Sequence, residues 1–500
     1  MNCMKDPKKY SLRLYQRLKT SSKRIIEKGN FNKALNLLRT ATWIQFVFSN
    51  VYYDEEIESQ LKAISSNILI DDYDTQELFV FYDDFSLDNL GLTQQYLRAL
   101  ISSGHKIVFV TPKLLGTDDS KDIFKEINEA PNVEYVRWQK TGDLFENSNR
   151  LAHLLSSFRP QKLFIQSQPN SVEVIAAVYA LSHKTVKYMI DIQDHAYWVG
   201  ANAVDYDIVF RSYGYNIAEH FRGICTDKIL QQPYYPIYDI NRPFEGLPDG
   251  IDNKVKIISG GAFHKVYSED RIFQKFVMRV LDDNPNTVYL FAGSGNPAVF
   301  DIITRQEKYK NRFFLLGQRK DIFQVLSHSD IYVNTFPFDG GLMGQLAAHC
   351  KLPIMAFAYP ESGGQLESVV CQKDFVSITC PDLNSMYDLL VQCINDKEKR
   401  KNFGLRIGNC VVDQDWFNDS FVQLISSNKT TVKNEIAEDS FFYKEAHHNR
   451  IMQVEQEYYI WILQHLKIET IAYCPAIVFA TIISFMNKDG ISRLIKKIVS

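Results

Sequence analysis

Runs of strand character alternate with runs of helix character along most of this chain, and this alternation limits its fold more than any other feature. The apolar run LFVFYDD at 78–84 predicts a strand, because it is short and rich in aromatic residues. A helical stripe around Leu97 follows, and Gly104 can adopt the left-handed conformation that ends a helix. The next strand is predicted at 107–110. Such a strand–helix–strand unit joins parallel strands by a right-handed crossover.

The same rhythm continues in two series on either side of a proline-rich segment. In the first series, further strands are predicted at 133–136, 163–166, 186–190 and 208–211, and helices at 145–158, 171–181 and 216–221. In the second series, strands are predicted at 256–259, 288–291, 313–316, 331–334, 354–357 and 375–378, and helices at 270–281, 321–326, 342–350 and 383–394. The segment 231–250 contains four prolines, which interrupt both helices and sheet ladders, so it predicts an interdomain linker.

Two such series predict an α/β protein with two doubly wound, Rossmann-like domains and a cleft between them. Residues 1–70 have helical spacing, and the end of the chain is also predicted to be helical. The predicted units are an N-terminal helical region at 1–75, a first domain at 76–235, a linker at 236–252, a second domain at 253–428, and C-terminal helices with an apolar and basic tail at 429–500. Ligands of such sheets bind outside the carboxyl ends of the strands, so we expect the chemistry in those loops.

Composition narrows the class of protein. Hydrophobic residues make up 45% of the chain and charged residues 23%, which is typical of a globular protein. The formal net charge of −3 argues against a nucleic-acid partner. None of the eight cysteines forms a C-x-x-C pair, so we expect no zinc site and no redox motif. The first residues lack the apolar run of a secretory signal, and we therefore expect a cytoplasmic protein.

The tail has an unusual order of residues. The stretch 471–486 is mostly apolar, contains Pro475, and is shorter than the roughly 20 residues of a membrane-spanning helix. Basic residues follow it at Lys488, Arg493, Lys496 and Lys497. This order is compatible with peripheral membrane contact through residues 471–500, at the inner face of the plasma membrane. The alternative is a helix packed on the core and followed by a solvated charged turn.

The clearest chemical signal lies where the strand ending at Asn334 runs into Phe-Pro-Phe-Asp-Gly-Gly at 336–341. Paired glycines between a strand tip and a helix start let backbone N–H groups approach a phosphate closely. The helix dipole adds a favourable field for negative charge at that point. The segment therefore predicts a phosphate-binding loop that needs no metal. An ordinary tight turn is the alternative.

This segment resembles the donor domain of GT-B glycosyltransferases, in particular O-GlcNAc transferase-like and bacterial protein N-glucosyltransferase-like enzymes. The resemblance rests on the pattern D-x-x-x-N-x-F-P-F-x-G-G at 330–341, on GQRKDI at 317–322 followed by SHSDIYVN at 327–334, and on NLGLTQQYLRALISSGHKIVFVT at 89–111. It covers about 77–425. It implies an acceptor-binding first domain and a nucleotide-sugar-binding second domain.

The resemblance also implies the reaction. It suggests a metal-independent transferase that moves a sugar from a nucleotide-diphosphate donor, a UDP-sugar first of all, to a hydroxyl of a glycan, lipid-linked or protein acceptor. A role in polysaccharide biosynthesis fits an acceptor on a lipid carrier. No cofactor and no metal are implied. Two alternatives stay open: a nucleotide-sugar epimerase on the same fold, and a non-catalytic binding or assembly protein.

Donor-binding positions follow residue by residue from the resemblance. They are Gly260, Gly261, Lys265, Gln318, Arg319, Asp339, Gly340, Gly341, Met343 and Gly344. Two of them have plain alternatives, since Lys265 can be a solvated lysine and Arg319 a surface ion pair.

The sequence departs from the family at one point. Many retaining GT-B enzymes have two glutamates eight positions apart, and Phe338 and Leu346 stand at those positions here. The ribose carboxylate and a retaining outcome therefore lack support, and the stereochemical outcome stays open. Glu367 is the candidate replacement for the missing carboxylate.

A candidate general base follows the predicted strand at 186–190. His195 stands at the carboxyl end of this strand, and the unperturbed pKa of histidine suits proton transfer at neutral pH. Asp194 or Asp191 is positioned to orient its ring. A structural histidine is the alternative. Trp198 and its neighbour Tyr197 either stack on a sugar or pack in the core, with packing favoured.

A second acidic pattern lies close by. The run Asp205-Tyr206-Asp207 resembles the metal motif of the other glycosyltransferase fold. That motif belongs to a different architecture, so we expect solvated or capping carboxylates here. Arg211 ends the next predicted strand and is expected to line the same cleft as His195.

Overall fold

Three helices open the chain, as the spacing predicts. The computed structural model describes residues 7–48, 51–85, 91–117, 120–357, 366–430, 462–467 and 469–475. The opening helices are Pro7–Ile26 (α1), Phe31–Phe48 (α2) and Glu55–Ser65 (α3). Asp54 caps α3, because its side chain accepts hydrogen bonds from the backbone of Glu56 and Ile57. The apolar faces of these helices pack together against the first sheet.

The first sheet has seven parallel strands, which confirms the first strand–helix series. Its strands are Gln76–Asp83 (β1), Lys106–Thr111 (β2), Val133–Arg137 (β3), Pro160–Gln166 (β4), Val186–Asp191 (β5), Tyr206–Val209 (β6) and Ile229–Gln231 (β7). Its helices are Leu92–Ser102 (α4), Lys121–Glu129 (α5), Leu144–Ser157 (α6), Val172–Ala180 (α7) and Ser212–His220 (α8). The strand order is β3-β2-β1-β4-β5-β6-β7. The central strands are apolar on both faces, as a parallel sheet covered by helices requires.

The second sheet has six parallel strands in the order β10-β9-β8-β11-β12-β13. Its strands are Val255–Gly260 (β8), Thr287–Ala292 (β9), Phe313–Gly317 (β10), Ile331–Val333 (β11), Ile354–Phe357 (β12) and Thr379–Cys380 (β13). Its helices are Ile272–Asp283 (α9), Asp301–Thr304 (α10), Ile322–Ser327 (α11), Gly341–His349 (α12), Leu366–Val370 (α13), Leu383–Asn395 (α14), Lys397–Gly408 (α15) and Gln414–Ser427 (α16). A short helix, Glu469–Tyr473 (α17), contacts α1.

Some predicted bounds are wrong. The strand predicted at 208–211 lies at Tyr206–Val209, and the one predicted at 375–378 lies at Thr379–Cys380. In the second case the apolar residue Phe375 suggested a buried strand, but Phe375 is 65% exposed. The short strand β7 and helix α5 were not predicted, since three residues and nine residues give weak periodicity.

The two sheets are joined by more than the linker. All residues of 232–254 are described, and none lies in a helix or strand. The helix α16 follows the second sheet in sequence but packs into the core of the first. The rings of Phe417 and Phe421 each lie 5.4 Å from that of Tyr96 on α4. The first core is therefore completed by a helix from the other half of the chain.

No helix among the described residues combines the length and the apolar character needed to cross a bilayer. Most of the C-terminal region predicted at 429–500, namely residues 431–461, 468 and the apolar and basic tail beyond residue 475, lies outside the described residues.

Candidate functional site

Glycines line the carboxyl ends of three adjacent strands in the second sheet. The backbone N–H of Gly261 donates to the Ala292 carbonyl at 2.9 Å, and that of Gly293 donates to the Gly317 carbonyl at 2.8 Å. A Cβ added to Gly293 would lie 1.9 Å from the carbonyl oxygen of Gly261, so no side chain fits there. Gly261 itself has φ 138°, which disfavours any other residue. The result is close packing of backbone against backbone at this edge, without side chains between the strand ends.

The loop before α12 is held by its own side chains. Asn334, at the tip of β11, donates from Nδ2 to Oδ1 of Asp339 at 2.8 Å and accepts at Oδ1 from the N–H of Gly340 at 3.1 Å. Thr335 donates from Oγ1 to the Phe338 carbonyl at 2.7 Å. These bonds present the first turn of α12 at the sheet edge. The first N–H groups of a helix have no partner within the helix and attract anions.

Lys265 and Met343 close this group. Lys265 Nζ donates to the backbone carbonyl of Asp339 at 2.7 Å. Met343 packs so tightly on the end of β8 that a Cβ on Gly260 would lie 2.4 Å from its Cε. We refer to Gly260, Gly261, Lys265, Asp339, Gly340, Gly341 and Met343 as the glycine cradle. One cation and one helix N-terminus therefore meet at these glycine-lined strand ends.

The remaining residues that the family resemblance assigns to the donor lie elsewhere. A Cβ on Gly344 would lie 2.8 Å from Leu366, so this glycine allows α12 to pack on α13. Gln318 is exposed after β10, at the end of the glycine row. Arg319 donates to both carboxylate oxygens of Asp321, at 2.7 and 2.6 Å. In this structure Arg319 thus forms an ion pair with Asp321, which is the alternative that the sequence left open for it.

The positions of the missing glutamate pair are apolar and buried, at Phe338 and Leu346. Glu367 does not replace them in this structure. Its Oε1 accepts hydrogen bonds from the backbone of Ile378 at 2.9 Å and of Thr379 at 2.6 Å. Its Oε2 accepts from the Thr379 hydroxyl. The side chain of Glu367 therefore holds β13 in place.

His195 lies at the carboxyl end of the first sheet, in front of a buried ion pair. Arg211 donates to both oxygens of Asp194, at 2.6 and 2.8 Å. His195 Nδ1 lies 3.5 Å from Asp194 Oδ1, and the His195 side chain is 22% exposed while that of Asp194 is fully buried. Burial raises the pKa of Asp194, but Arg211 and His195 outweigh it and hold that pKa below its usual range. A carboxylate that is ionised at neutral pH therefore faces one nitrogen of a histidine that reaches the surface.

A second buried set lies behind the first. Arg222 donates to the Ala196 carbonyl at 2.7 Å and lies 3.6 Å from Asp191, which also accepts from Trp198 Nε1 at 2.9 Å. Asp207 is 1% exposed, and among the described residues neither of its oxygens has a hydrogen-bond partner. Burial and the charge of Asp191 raise the pKa of Asp207 well above its usual value.

Two interpretations from the sequence are settled by this burial. The solvated or capping role expected for Asp207 is wrong, because Asp207 lies on β6 between β5 and β7 and is buried. Tyr197 and Trp198 are buried, so the packing interpretation is confirmed and sugar stacking on them is excluded.

Tyr234 connects the two groups. Its ring centroid lies 4.5 Å from that of Phe210, and the guanidinium carbon of Arg211 lies 4.9 Å from the Phe210 centroid. On the other side, the Tyr234 hydroxyl lies 3.8 Å from where a Cβ on Gly341 would stand. We refer to His195, Asp194 and Arg211 as the His195 group. This group and the glycine cradle are thus linked by a continuous line of contacts through Phe210 and Tyr234.

Sequence reasoning missed several residues of these groups. Gly293 was detectable, because AGSGNP at 292–297 puts small residues directly after a strand. Asn334 belongs to the D-x-x-x-N-x-F-P-F-x-G-G pattern, but that pattern does not indicate that its side chain holds Asp339 and Gly340. Arg222 and its pairing with Asp191 had no local signal, because their contact joins residues from different elements.

Solved structures with a similar fold exist, although similarity in sequence is low. TarM of S. aureus superimposes with a TM-score of 0.50 at 10% identity, over 71% of this chain and 99% of TarM. HepE of Anabaena, solved with UDP and glucose, has a TM-score of 0.49 at 15% identity, over 70% of this chain and 100% of HepE. An O-GlcNAc transferase of Thermobaculum terrenum has a TM-score of 0.46 at 10% identity, over 88% and 85%. No family model and no curated protein matches the sequence.

At such identities the similarity concerns the fold. Two parallel sheets with helices on both faces and the superposition on TarM confirm the predicted two-domain α/β architecture of the GT-B fold.

Two buried aspartates of this site are expected to respond to substitution in opposite directions. In Asp194→Asn the buried Arg211 loses its charge partner, so the free energy of unfolding at pH 7 should fall by about 3–5 kcal/mol. In Asp207→Asn a neutral amide replaces a carboxyl that burial disfavours in its charged form, so stability at pH 7 should rise. Urea denaturation of both variants measures these changes. Exposed Asp72→Asn is the control and should change stability little.

The dependence on pH should also differ. The folded pKa of Asp194 is depressed, so its contribution is present above the unfolded value of about 3.9 and is lost as pH falls through the folded pKa. The folded pKa of Asp207 is raised, so its contribution is present below about 3.9 and is lost as pH rises toward the folded pKa. Between pH 4 and pH 8 the destabilisation by Asp194→Asn should therefore stay nearly constant, because both pH values lie above the pKa of Asp194 in the folded and the unfolded chain. The stabilisation by Asp207→Asn should be small at pH 4 and larger at pH 8, and an equal stabilisation at both pH values would contradict this assignment.

Proposed function

We propose that this protein is a glycosyltransferase that moves a sugar from a nucleotide-diphosphate donor, with UDP-sugars as the first candidates, to an acceptor hydroxyl. The observation that carries the proposal is the glycine cradle, joined through Tyr234 to the His195 group. Bare backbone, a helix N-terminus and Lys265 suit a diphosphate on one side. A partly exposed histidine in front of a fixed carboxylate suits proton transfer on the other.

The glycine cradle stabilises the charge that develops on the leaving nucleotide. As the bond between the anomeric carbon and the diphosphate oxygen breaks, the electron pair stays on that oxygen. The first N–H groups of α12 and the Lys265 ammonium are positioned before the donor binds, because Asn334 and the Asp339 carbonyl hold them. Donors that need no rearrangement stabilise a transition state effectively.

His195 removes the proton from the acceptor. With its Nδ1 proton directed at Asp194, the ring presents the lone pair of Nε2 to the acceptor hydroxyl. Arg211 keeps Asp194 ionised, and this charge stabilises the imidazolium that forms. The hydroxyl oxygen forms the new bond to the anomeric carbon, and the proton passes to Nε2.

Binding of nucleotides tests the donor site directly. UDP should bind saturably, and binding should survive EDTA. Gly341→Asp should weaken it by about 10- to 100-fold, because a charge-assisted contact is replaced by repulsion. The measurement is calorimetry with UDP, GDP, ADP, TDP and CMP. Gly142→Asp is the matched control, since Gly142 is exposed and a Cβ there meets nothing within 4 Å.

The outcomes separate the alternatives. If the protein converts the UDP-sugar to a second sugar nucleotide without any acceptor, the proposed transferase is an epimerase instead. No binding of any nucleotide to the folded protein would favour a non-catalytic role.

Loss of the His195 imidazole should abolish chemistry and leave donor binding intact. His195→Ala should lower kcat by about 100-fold or more, since general bases contribute at least that much. The affinity for UDP should be unchanged. The assay is UDP release from the UDP-sugar that binds, with the acceptor found in a glycan panel. Exposed His183→Ala is the control, and an unchanged kcat in His195→Ala would remove this residue as the base.

We further propose peripheral contact with an anionic membrane, through α1 as well as the tail. The helix α1 contains no acidic residue. Its exposed side chains include Arg13, Arg17, Lys23 and Arg24. Arg17 also donates to the Tyr473 carbonyl at 3.1 Å, so α1 lies beside the point from which the apolar and basic tail continues.

Vesicle binding tests this contact. The protein should bind phosphatidylserine vesicles and not phosphatidylcholine vesicles. Reversing three charges in Arg13→Glu, Lys23→Glu, Arg24→Glu should weaken binding by about 100-fold, at roughly 1 kcal/mol for each basic residue near the surface. The control reverses Lys397, Lys399 and Lys401 on α15. Equal loss in both triple variants would contradict a contact through α1.

A further inference from the structure

A polar cavity lies between the N-terminal helices and the carboxyl ends of the first sheet. Its volume is about 300 Å³, at the lower limit for pockets that hold small molecules. Arg39 and Trp43 of α2 line one side, and Lys140, Asn170 and Glu173 line the other. His465, from the C-terminal segment 462–467, also lines the cavity, which is therefore enclosed by parts of the chain that lie outside the sheet domain itself.

Charges in and around the cavity balance. Lys140 Nζ lies 3.1 Å from Asp84 and 3.0 Å from Glu173. Arg39 adds a second positive charge, which the Glu173 carboxylate attracts. These two cations and two carboxylates balance, and His465 is the further titratable side chain of the lining, so the cavity offers no strong net attraction to an anion. A neutral ligand with several hydroxyl groups fits this balance better than a phosphate.

Two side chains that line the cavity each have a buried polar atom with unfilled hydrogen-bonding capacity. Glu173 is 4% exposed, and its Oε2 has no hydrogen-bond partner within the described ranges of the chain. Arg39 Nε is also buried and lacks a partner in the part of the chain that the structure describes. A buried acceptor without a donor and a buried donor without an acceptor are costly. A hydroxyl group satisfies both, because it donates and accepts.

The cavity leads toward the proposed base. Gln168 and Pro169 line it, and the same two residues line a small space next to Asp191, Gln193 and Trp198. Those residues belong to the loop that follows β5 and carries His195. A ligand in the cavity therefore lies along the same sheet edge as the proposed chemistry. The indole of Trp43 adds an apolar surface of the kind on which a sugar ring packs.

We propose that this cavity binds a neutral saccharide unit of the acceptor, and that α2 is part of the acceptor site. Only the assignment of this saccharide to the acceptor rests on the proposed transferase function. The saccharide site itself is inferred from the cavity alone. Glu173 Oε2 accepts a hydrogen bond from a sugar hydroxyl, and Arg39 Nε donates one.

Saccharide binding to the full chain tests this site without any assay of transfer. The probes are neutral oligosaccharides, namely maltotriose, cellotriose and chitotriose, with their sulfated or phosphorylated counterparts, each in the presence and absence of UDP. Saturation-transfer NMR measures binding. At least one neutral probe should bind saturably, and Glu173→Gln and Arg39→Met should each weaken it by about tenfold.

Two further variants keep the test decisive. Asn170→Phe fills the cavity without removing a buried charge, and should weaken binding even if Glu173→Gln does not fold. Arg150→Met, on the exposed face of α6, is the matched control for Arg39→Met and should bind like the wild type. Unchanged binding in Asn170→Phe and Arg39→Met, binding of charged probes only, or no binding of any neutral probe would overturn the proposal.

Failure of the transferase proposal has a different signature. If UDP does not bind but a neutral saccharide binds in a manner that depends on Arg39 and Asn170, the saccharide site stands and the donor site falls. If UDP binds and the saccharide does not, the reverse holds.

Discussion

The backbone carbonyl of Tyr234 is the point on which the arrangement of the two domains depends. It accepts hydrogen bonds from the side-chain amides of Gln345 and Gln372, each at 2.7 Å. The next residue, Tyr235, donates its N–H to Gln95 Oε1 at 3.1 Å, on the other domain. All these groups are buried, so breaking one contact leaves unsatisfied polar atoms that cost about 1–3 kcal/mol. The linker is therefore fixed to both domains at one place.

This constraint explains how two kinds of site face each other. In the second domain most of the groups proposed to bind the donor belong to the backbone, because glycines stand at the strand ends and Lys265 is the one charged side chain that the glycine cradle includes. In the first domain they belong to side chains, which buried ion pairs such as Asp194–Arg211 hold in one orientation. The Tyr234 ring stands between the two, in contact with Phe210. The proposed transfer reaction would use this division, since its leaving group is a large anion and its acceptor loses a single proton.

Local patterns predicted most of the fold and about half of the candidate site. The strands that contain Phe81 and Leu290 are apolar runs, and such runs were sufficient to predict a parallel sheet in each half of the chain. The glycines at 340–341 were found because a strand tip and a helix start are close in sequence. The sequence did not predict β7 and misplaced β13, because two or three residues are too few to show a periodic pattern. The sequence also did not predict that Arg222 and Asp207 are buried, because burial of a charged residue has no local signature.

The sequence by itself determined the alternation of strands and helices, the glycine-rich start of α12 and the position of His195 after β5. These depend on residues within one turn or one strand of each other. Only the tertiary structure decided that Arg211 holds Asp194, that Glu367 holds β13 and that α2 forms a cavity with Glu173. Those contacts join residues from separate elements, and the low dielectric and close packing of the folded interior decide which of them form.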